Sequence, residues 1–198
     1  VKHVGIDLFT EDVLATLNQF EEADNFGSLI IPATNRAGEV LKALSIKYTD
    51  NLMALSKTHE EVSIALKQAD YLSQKYHVVV ANPPYMGGGN MNGKLSDFAK
   101  KQYPNSKSDM FSMFIERGFS WICNLGYVSM VTMQSWMFLS SFEKMREQLL
   151  KDSAIECMAH MANMVMGIAF GTSATVWKKN PIGSIRGAYC FIEYEDLD

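Results

Sequence analysis

The sequence predicts an α/β fold with a mostly parallel sheet, and three observations carry that expectation. Val78-Val79-Val80-Ala81 is a short β-branched run of the kind that forms a buried strand. Just before it, Val62, Leu66, Ala69 and Leu72 recur at helical spacing, so a helix hands over to a strand as in the αβ half of a crossover unit. Further strand-like runs follow at residues 127–132, 155–161 and 173–177, with amphipathic helical stretches before the first two.

Taken in order, residues 4–9 read as a short strand. Thr10 then caps a helix with Val13, Leu14 and Leu17 on one face, and Asn25 and Gly27 fit its end. Residues 28–31 are an apolar run stopped by Pro32. Residues 39–47 form a second helix with Val40, Leu41 and Leu44 inward. Thr58 and Glu61 make a capping-box pattern that opens the third. Gly87-Gly88-Gly89 reads as a hinge, and residues 87–108, rich in Asn, Gly and Lys, as a long functional or mobile loop. Asp109 is a candidate N-cap for a helix bearing Phe111, Phe114, Ile115, Phe119 and Ile122 on one face. Ser140 and Glu143 form another capping box, with Phe142, Met145, Leu149 and Leu150 on the buried side. A loop containing Gly167, Phe170 and Gly171 joins the last two of these strands, residues from Asn180 onward read as an extra strand or a linker, and the chain ends in an acidic stretch.

Composition narrows the function classes. The 198 residues are 47% hydrophobic and 20% charged, which suits one globular domain with a sizeable core. No apolar run approaches the roughly 18 residues of a membrane span, and no signal peptide is visible. Cys123, Cys157 and Cys190 are widely spaced, as are His3, His59, His77 and His160, so no metal site and no disulfide framework is expected and a reducing cytoplasm is the default location. His77 reads as a strand-edge residue. A net charge of −4 argues against a chain that coats DNA electrostatically. One local excess stands out: Lys94, Lys100, Lys101 and Lys107 lie between Gly87 and Ser108 against the single acid Asp97. It is either a phosphate-facing patch or an ordinary solvated loop.

The most informative residues are Asn82-Pro83-Pro84-Tyr85, which follow directly on the Val78 run. Open α/β sheets bind ligands at the carboxyl ends of their strands. Two prolines have fixed φ and no N–H, so this loop offers carbonyl acceptors without competing donors. Asn82 adds a side-chain carbonyl and Tyr85 a flat stacking face. That inventory suits an exocyclic amine. The amino group of adenine is a poor nucleophile because its lone pair is delocalised into the ring. If the Asn82 side-chain oxygen and the Pro83 carbonyl each accept one N–H, the nitrogen is drawn toward tetrahedral geometry and its lone pair points out of the ring plane. Catalysis would then rest on positioning and electrostatics. The alternative is a polyproline turn that caps a strand or binds an aromatic groove.

These residues carry a resemblance. The segment from Val78 to Tyr85 resembles the catalytic motif of S-adenosylmethionine-dependent amino-methyltransferases that act on adenine N6 in DNA. Downstream, Met86-Gly87-Gly88-Gly89-Asn90-Met91-Asn92, Lys107-Ser108-Asp109-Met110-Phe111 and residues 126–142 are similar to the large adenine-specific methyltransferases of BREX-type phage-exclusion systems. The Asn-Pro-Pro-Tyr motif is shared by several methyltransferase families, whereas Met133-Gln134-Ser135-Trp136-Met137-Phe138 is more restrictive. The resemblance spans roughly residues 70 to 178. It implies a Rossmann-like methyltransferase core with an antiparallel last strand, incomplete on its N-terminal side.

The resemblance also implies roles. Asn82, Pro83, Pro84 and Tyr85 would be catalytic. Phe170 would pack on the extruded base opposite Tyr85, or else plug the sheet edge. Phe114 would meet the cofactor's adenine ring, or else serve the core. Asp7 would end an earlier strand and meet the cofactor's ribose or adenine, or else act as a cap. Such enzymes cradle the cofactor with a glycine-rich loop after their first strand, and no segment here fits one. The expectation is therefore a fragment of a larger enzyme: residues 1–76 a helical part leading into the sheet, 77–179 the catalytic half of the methyltransferase domain, and 180–198 an extra strand or linker to a missing region. Alone, it would bind cofactor weakly and not turn over. The implied partners are double-stranded DNA, the remainder of the parent polypeptide and other defence-system subunits, with no membrane. Alternatives are a protein-glutamine or RNA methyltransferase, or a non-catalytic nucleic-acid-binding module that keeps the fold.

Overall fold

The computed structural model describes residues 10–47, 56–183 and 185–197. The strand expected at residues 4–9, with Asp7 near its end, lies outside them. The chain divides into two compact units between Gln74 and Lys75. Two separate cores replace the single one expected from composition.

The first unit is helical. Thr10 stands at the N-cap position of α1 (Glu11–Gln19) in extended conformation, yet its hydroxyl bonds the Asp12 carboxylate rather than a free helix N–H. A short α2 (Ala23–Phe26) stops at Gly27, whose φ of 52° lies where glycine is favoured. α3 (Ala37–Lys47) and α4 (Ser56–Ser73) bury Ala37, Val40, Leu44, Leu66 and Ala69 together with Val13 of α1. The capping box expected at Thr58 does not open α4, because the helix already begins at Ser56 and Thr58 lies inside it.

The second unit carries the sheet. Its described strands are β1 (Tyr76–Ala81), β2 (Ile122–Met133), β3 (Ser153–Met161), β4 (Thr172–Lys179) and β5 (Ala188–Ile192), in spatial order β1-β2-β4-β3-β5. β1 runs parallel to β2 and β3 parallel to β5, while β4 is antiparallel to both β2 and β3. Four strands thus share one direction. The expected antiparallel strand is present as β4, inside the sheet rather than at its margin, and β5 adds an edge beyond β3. Parallel neighbours need long crossovers. α5 (Gly93–Gln102) and α6 (Met110–Trp121) supply the one from β1 to β2, and α7 (Glu143–Asp152) lies between β2 and β3.

The Val78 run is a strand but not a buried one: side chains alternate along it, Val79 and Ala81 turn onto the core, and Val78 and Val80 on the other face are 55% and 74% exposed. The loop expected over residues 87–108 contains α5, capped by Asn92, whose side chain accepts from Leu95 N–H at 2.9 Å. Only Leu95 and Ala99 of this helix are buried, too few to make a clear period. Ile122 belongs to β2 rather than to the helix before it, since α6 passes into the strand without a loop. Ser140 caps nothing. Ser140–Phe142 is a 3-10 turn, and α7 starts at Glu143 without a side-chain cap. Arg146 holds this region instead, donating to the carbonyls of Trp136 (2.8 Å) and Leu139 (2.6 Å).

One close approach fixes how β1 meets β2. A Cβ on Gly126 would stand 2.9 Å from the His77 carbonyl oxygen, so only glycine lets the two backbones come together there. The core lies between the sheet and helices α6 and α7. Phe111, Ile115, Val128, Met130, Trp136, Phe142, Met145 and Trp177 pack in it, with Val79, Ala81 and Tyr85 at its margin.

Candidate active site

β1 pairs with β2 as far as Ala81 opposite Met130, and the chain then leaves the sheet as Asn82-Pro83-Pro84-Tyr85. Pro83 is buried and anchors the turn, whereas Asn82 and Pro84 are exposed. Among the described residues none forms a hydrogen bond with the Asn82 side chain, so its amide stands free at the rim. Tyr85 is half-buried. Its ring lies edge-on to Phe111 (centroids 6.1 Å apart, 89°) and to Phe170 (5.8 Å, 66°), and its hydroxyl donates to the Val131 carbonyl at 3.3 Å. Burial pushes its phenol above the ordinary value, so it is neutral at physiological pH.

Tyr85 and Phe170 are therefore brought together, but they touch each other. A base sandwiched between two rings needs them parallel and about 7 Å apart, twice the contact distance of flat groups. Phe170 sits in the loop from β3 to β4, and that loop is fastened to the end of β2. Gln134 N–H donates to the Gly171 carbonyl at 3.0 Å, and a Cβ on Gly171 would stand 2.6 Å from the Gln134 side-chain amide. The Gln134 oxygen is in turn 2.6 Å from His160 Nε2.

Asp109 does more than the N-cap role its position suggests. Its Oδ1 accepts from Phe111 N–H (3.3 Å) at the start of α6 and from Met86 N–H (3.0 Å) in the loop after Tyr85. Met110 N–H to the Met86 carbonyl (3.0 Å) and Gly88 N–H to the Ser108 carbonyl (2.9 Å) complete the clasp. The Asn-Pro-Pro-Tyr turn is thus fastened on both sides. Sequence reasoning missed the second bond of Asp109 and the Gln134–His160 pair. The Lys-Ser-Asp-Met-Phe and Met-Gln-Ser-Trp segments that carried the resemblance were the only signals pointing at them.

Burial raises the Asp109 carboxyl pKa above its ordinary value, outweighing the N–H groups that favour the ionised form. The folded protein therefore holds that proton more tightly than the unfolded chain does. The contribution of Asp109 is most favourable below the ordinary carboxylate pKa, and it falls as pH rises through the raised folded value. Asp109→Asn keeps an acceptor without the charge and is expected to remove this part of the pH dependence. Asp109→Ala loses both bonds and is expected to cost about 1–2 kcal/mol, as for a lost cap. Urea unfolding from below the ordinary carboxylate pKa up to neutral pH compares the three proteins by circular dichroism. Parallel curves would exclude the carboxyl as the source of the pH dependence.

The lysines are exposed, and α5 spreads them. Lys94 and Lys101 lie two turns apart on one side of the helix. Lys100 pairs with Asp97 at 3.3 Å, and Lys107 stands in the turn before Asp109. Phe114 is half-buried and packs on the main core. Asp7 lies outside the described residues. No group of three or more His, Cys, Asp and Glu able to hold a metal occurs among the described residues, and no helix among them is long and apolar enough to cross a membrane.

Comparison with known proteins gives these features a family. The adenine-specific methyltransferase BrxX of Escherichia coli O9:H4 (strain HS) is 41% identical over 184 residues, covering 89% of this chain and 15% of that protein. The adenine-specific methyltransferase PglX of Lacticaseibacillus casei (strain Zhang) is 39% identical over 122 residues, 60% of this chain and 10% of that one. The chain thus spans a small part of the length of these relatives. Among solved structures, the DrdV–DNA complex matches with a TM-score of 0.50 at 16% identity, over 70% of this chain and 17% of the other. That match shows a shared α/β fold. The sequence profile of the Eco57I restriction-modification methylases matches residues 9–165. This chain belongs to that family.

Proposed function

We propose that this chain forms the amine-binding, catalytic part of a site-specific DNA adenine-N6 methyltransferase of a restriction-modification or phage-defence system. The observation that carries the reading is the Asn82 amide, free at the rim of the sheet beside Pro83 and two aromatic rings. The names of the relatives, both adenine-specific methyltransferases, support it. The partners of the reading are double-stranded DNA, the remainder of a longer polypeptide and other defence-system subunits, in the cytoplasm.

The chain's residues divide the work. Asn82 Oδ1 and the Pro83 carbonyl accept the two N–H groups of the target amine and localise its lone pair. Pro84 keeps the turn rigid and donor-free. Tyr85 offers its ring to the base, with Phe170 turning aside to take the other face. An N6 amine is paired and stacked within a duplex, so the adenine must first be extruded. Lys94, Lys100, Lys101 and Lys107 then meet the phosphate backbone, Lys100 exchanging its pair with Asp97 for a phosphate.

S-adenosylmethionine would supply an electrophilic methyl group. The described residues suit the accepting amine, but no glycine-rich loop directly follows a strand among them to cradle that cofactor, and Phe114, half-buried against the core, is the candidate contact for its adenine ring. A non-catalytic DNA-binding module is the reading this mismatch favours. The two separate in one experiment. The full-length protein is incubated with duplex DNA and S-adenosylmethionine, the nucleosides are analysed by mass spectrometry, and the modified positions are mapped. N6-methyladenine at a fixed sequence is the expected result. DNA binding without methylation would favour the module, and methylation only in parallel incubations that replace the DNA with RNA or with a glutamine-containing protein would overturn the choice of substrate.

A further inference from the structure

The loop between β3 and β4 has a feature that amine binding does not use. Met164 and Met166 are each 50% exposed at its tip. The loop nevertheless has a defined shape. Met164 N–H donates to the Ile168 carbonyl (2.8 Å), Gly167 N–H to the Met164 carbonyl (2.8 Å) and Val165 N–H to the Ala162 carbonyl (3.4 Å). Met164 itself takes φ 69°, a left-handed conformation that disfavours side chains with a Cβ. The backbone thus holds a strained residue in order to present two methionines to solvent.

Three further facts say what they face. The loop leaves β3 at the same carboxyl end of the sheet as Asn82 and closes on Phe170, whose ring touches Tyr85 at 5.8 Å. Residues 161–177 contain no charged side chain, so nothing in the loop repels a phosphate backbone. Methionine is flexible and polarizable, and it is one of the side chains that wedge between base steps when duplexes are distorted.

We propose that Met164 and Met166 form a wedge that enters the DNA stack and fills the space vacated by the extruded base. This inference rests on the adenine-methyltransferase reading and adds to it the means of extrusion. The backbone hydrogen bonds of the loop keep the tip from folding back onto the protein when it meets the stack. Phe170, six residues beyond Met164, is positioned to receive the base as the wedge takes its place.

The test uses the full-length protein and duplexes carrying the mapped target adenine for methylation, with matching duplexes in which 2-aminopurine replaces that adenine for fluorescence. One set is fully paired, and the other has an abasic residue opposite the target. For Met164→Ala/Met166→Ala, methylation of the paired duplex is expected to fall about tenfold or more, with loss of most of the fluorescence rise. On the abasic duplex, where there is no pair to break, the same variant is expected to stay within about twofold of the unsubstituted protein. Met164→Leu/Met166→Leu, which keeps apolar bulk, is expected to restore paired-duplex activity. Equal extrusion by the alanine variant and the unsubstituted protein would overturn the wedge. So would an equal loss on both duplexes, which would mark the tip as a contact with another protein segment. Absence of methylation by the unsubstituted protein would overturn the functional reading, and the wedge with it.

Discussion

Asn82→Ala is expected to lower the rate of adenine methylation by roughly 10²–10³-fold, the loss seen when one preorganised electrostatic contact to a reacting group is removed. The Pro83 carbonyl alone accepts one N–H and leaves the lone pair largely in the ring. The side chain is exposed and touches no described partner, so stability should change by less than about 0.5 kcal/mol and DNA affinity should hold. That combination separates chemistry from folding. Asn82→Asp keeps an acceptor oxygen in the same place and is expected to retain more activity than Ala. Tyr85→Phe keeps the stacking ring and gives up only a long 3.3 Å bond to Val131, so it should be milder than either. Single-turnover methylation and DNA-binding titrations of the full-length variants measure both quantities. Undiminished methylation by Asn82→Ala would exclude the amide as the group that grips the amine.

Much of this site is legible in the sequence because a strand followed by Asn-Pro-Pro-Tyr is a local signal. The β-branched run needs only its own residues to be seen, and the prolines state the absence of donors directly. What stays hidden depends on distant partners. The hydrogen bond of Asp109 to Met86 spans 23 residues and that of Gln134 to His160 spans 26, and neither has a period or a motif of its own. The exposure of Val78 and Val80 is hidden for the same reason. Apolar content states that a strand can be buried, and only what packs on each face of the sheet states whether it is. α5 escapes detection because two buried residues among lysines and glycines leave too narrow a stripe. The strand β4, by contrast, announces itself through Thr, Val and Trp, and its reversed direction follows from the short connection to β3.

Trp177 marks where the fold should fail first. It is fully buried in β4, opposite Val128 of β2 and Ile155 of β3, and its ring meets Trp136 at 5.5 Å and Phe119 at 6.2 Å. Trp177→Ala would open a cavity between the sheet and the helices, at an expected cost of about 3–5 kcal/mol. The indole also carries a cost of its own, since its Nε1–H is buried without a hydrogen-bond partner. A buried orphan donor costs about 1–3 kcal/mol, so Trp177→Phe, which removes the donor and keeps most of the ring, should lose far less than the alanine variant. The damage should also reach the rim. Trp136 rests on Trp177, donates its own N–H to Ser173 at 3.1 Å, and receives Arg146 on its carbonyl, so it ties the turn after β2 to the start of β4 beside Phe170. Urea unfolding of the chain, followed by circular dichroism, measures the first effect, and methylation by the full-length variants measures the second. If Trp177→Ala and Trp177→Phe were equally destabilising, the cavity would not be the main source of the lost stability. If activity stayed intact while stability collapsed, the rim would not depend on this indole pair.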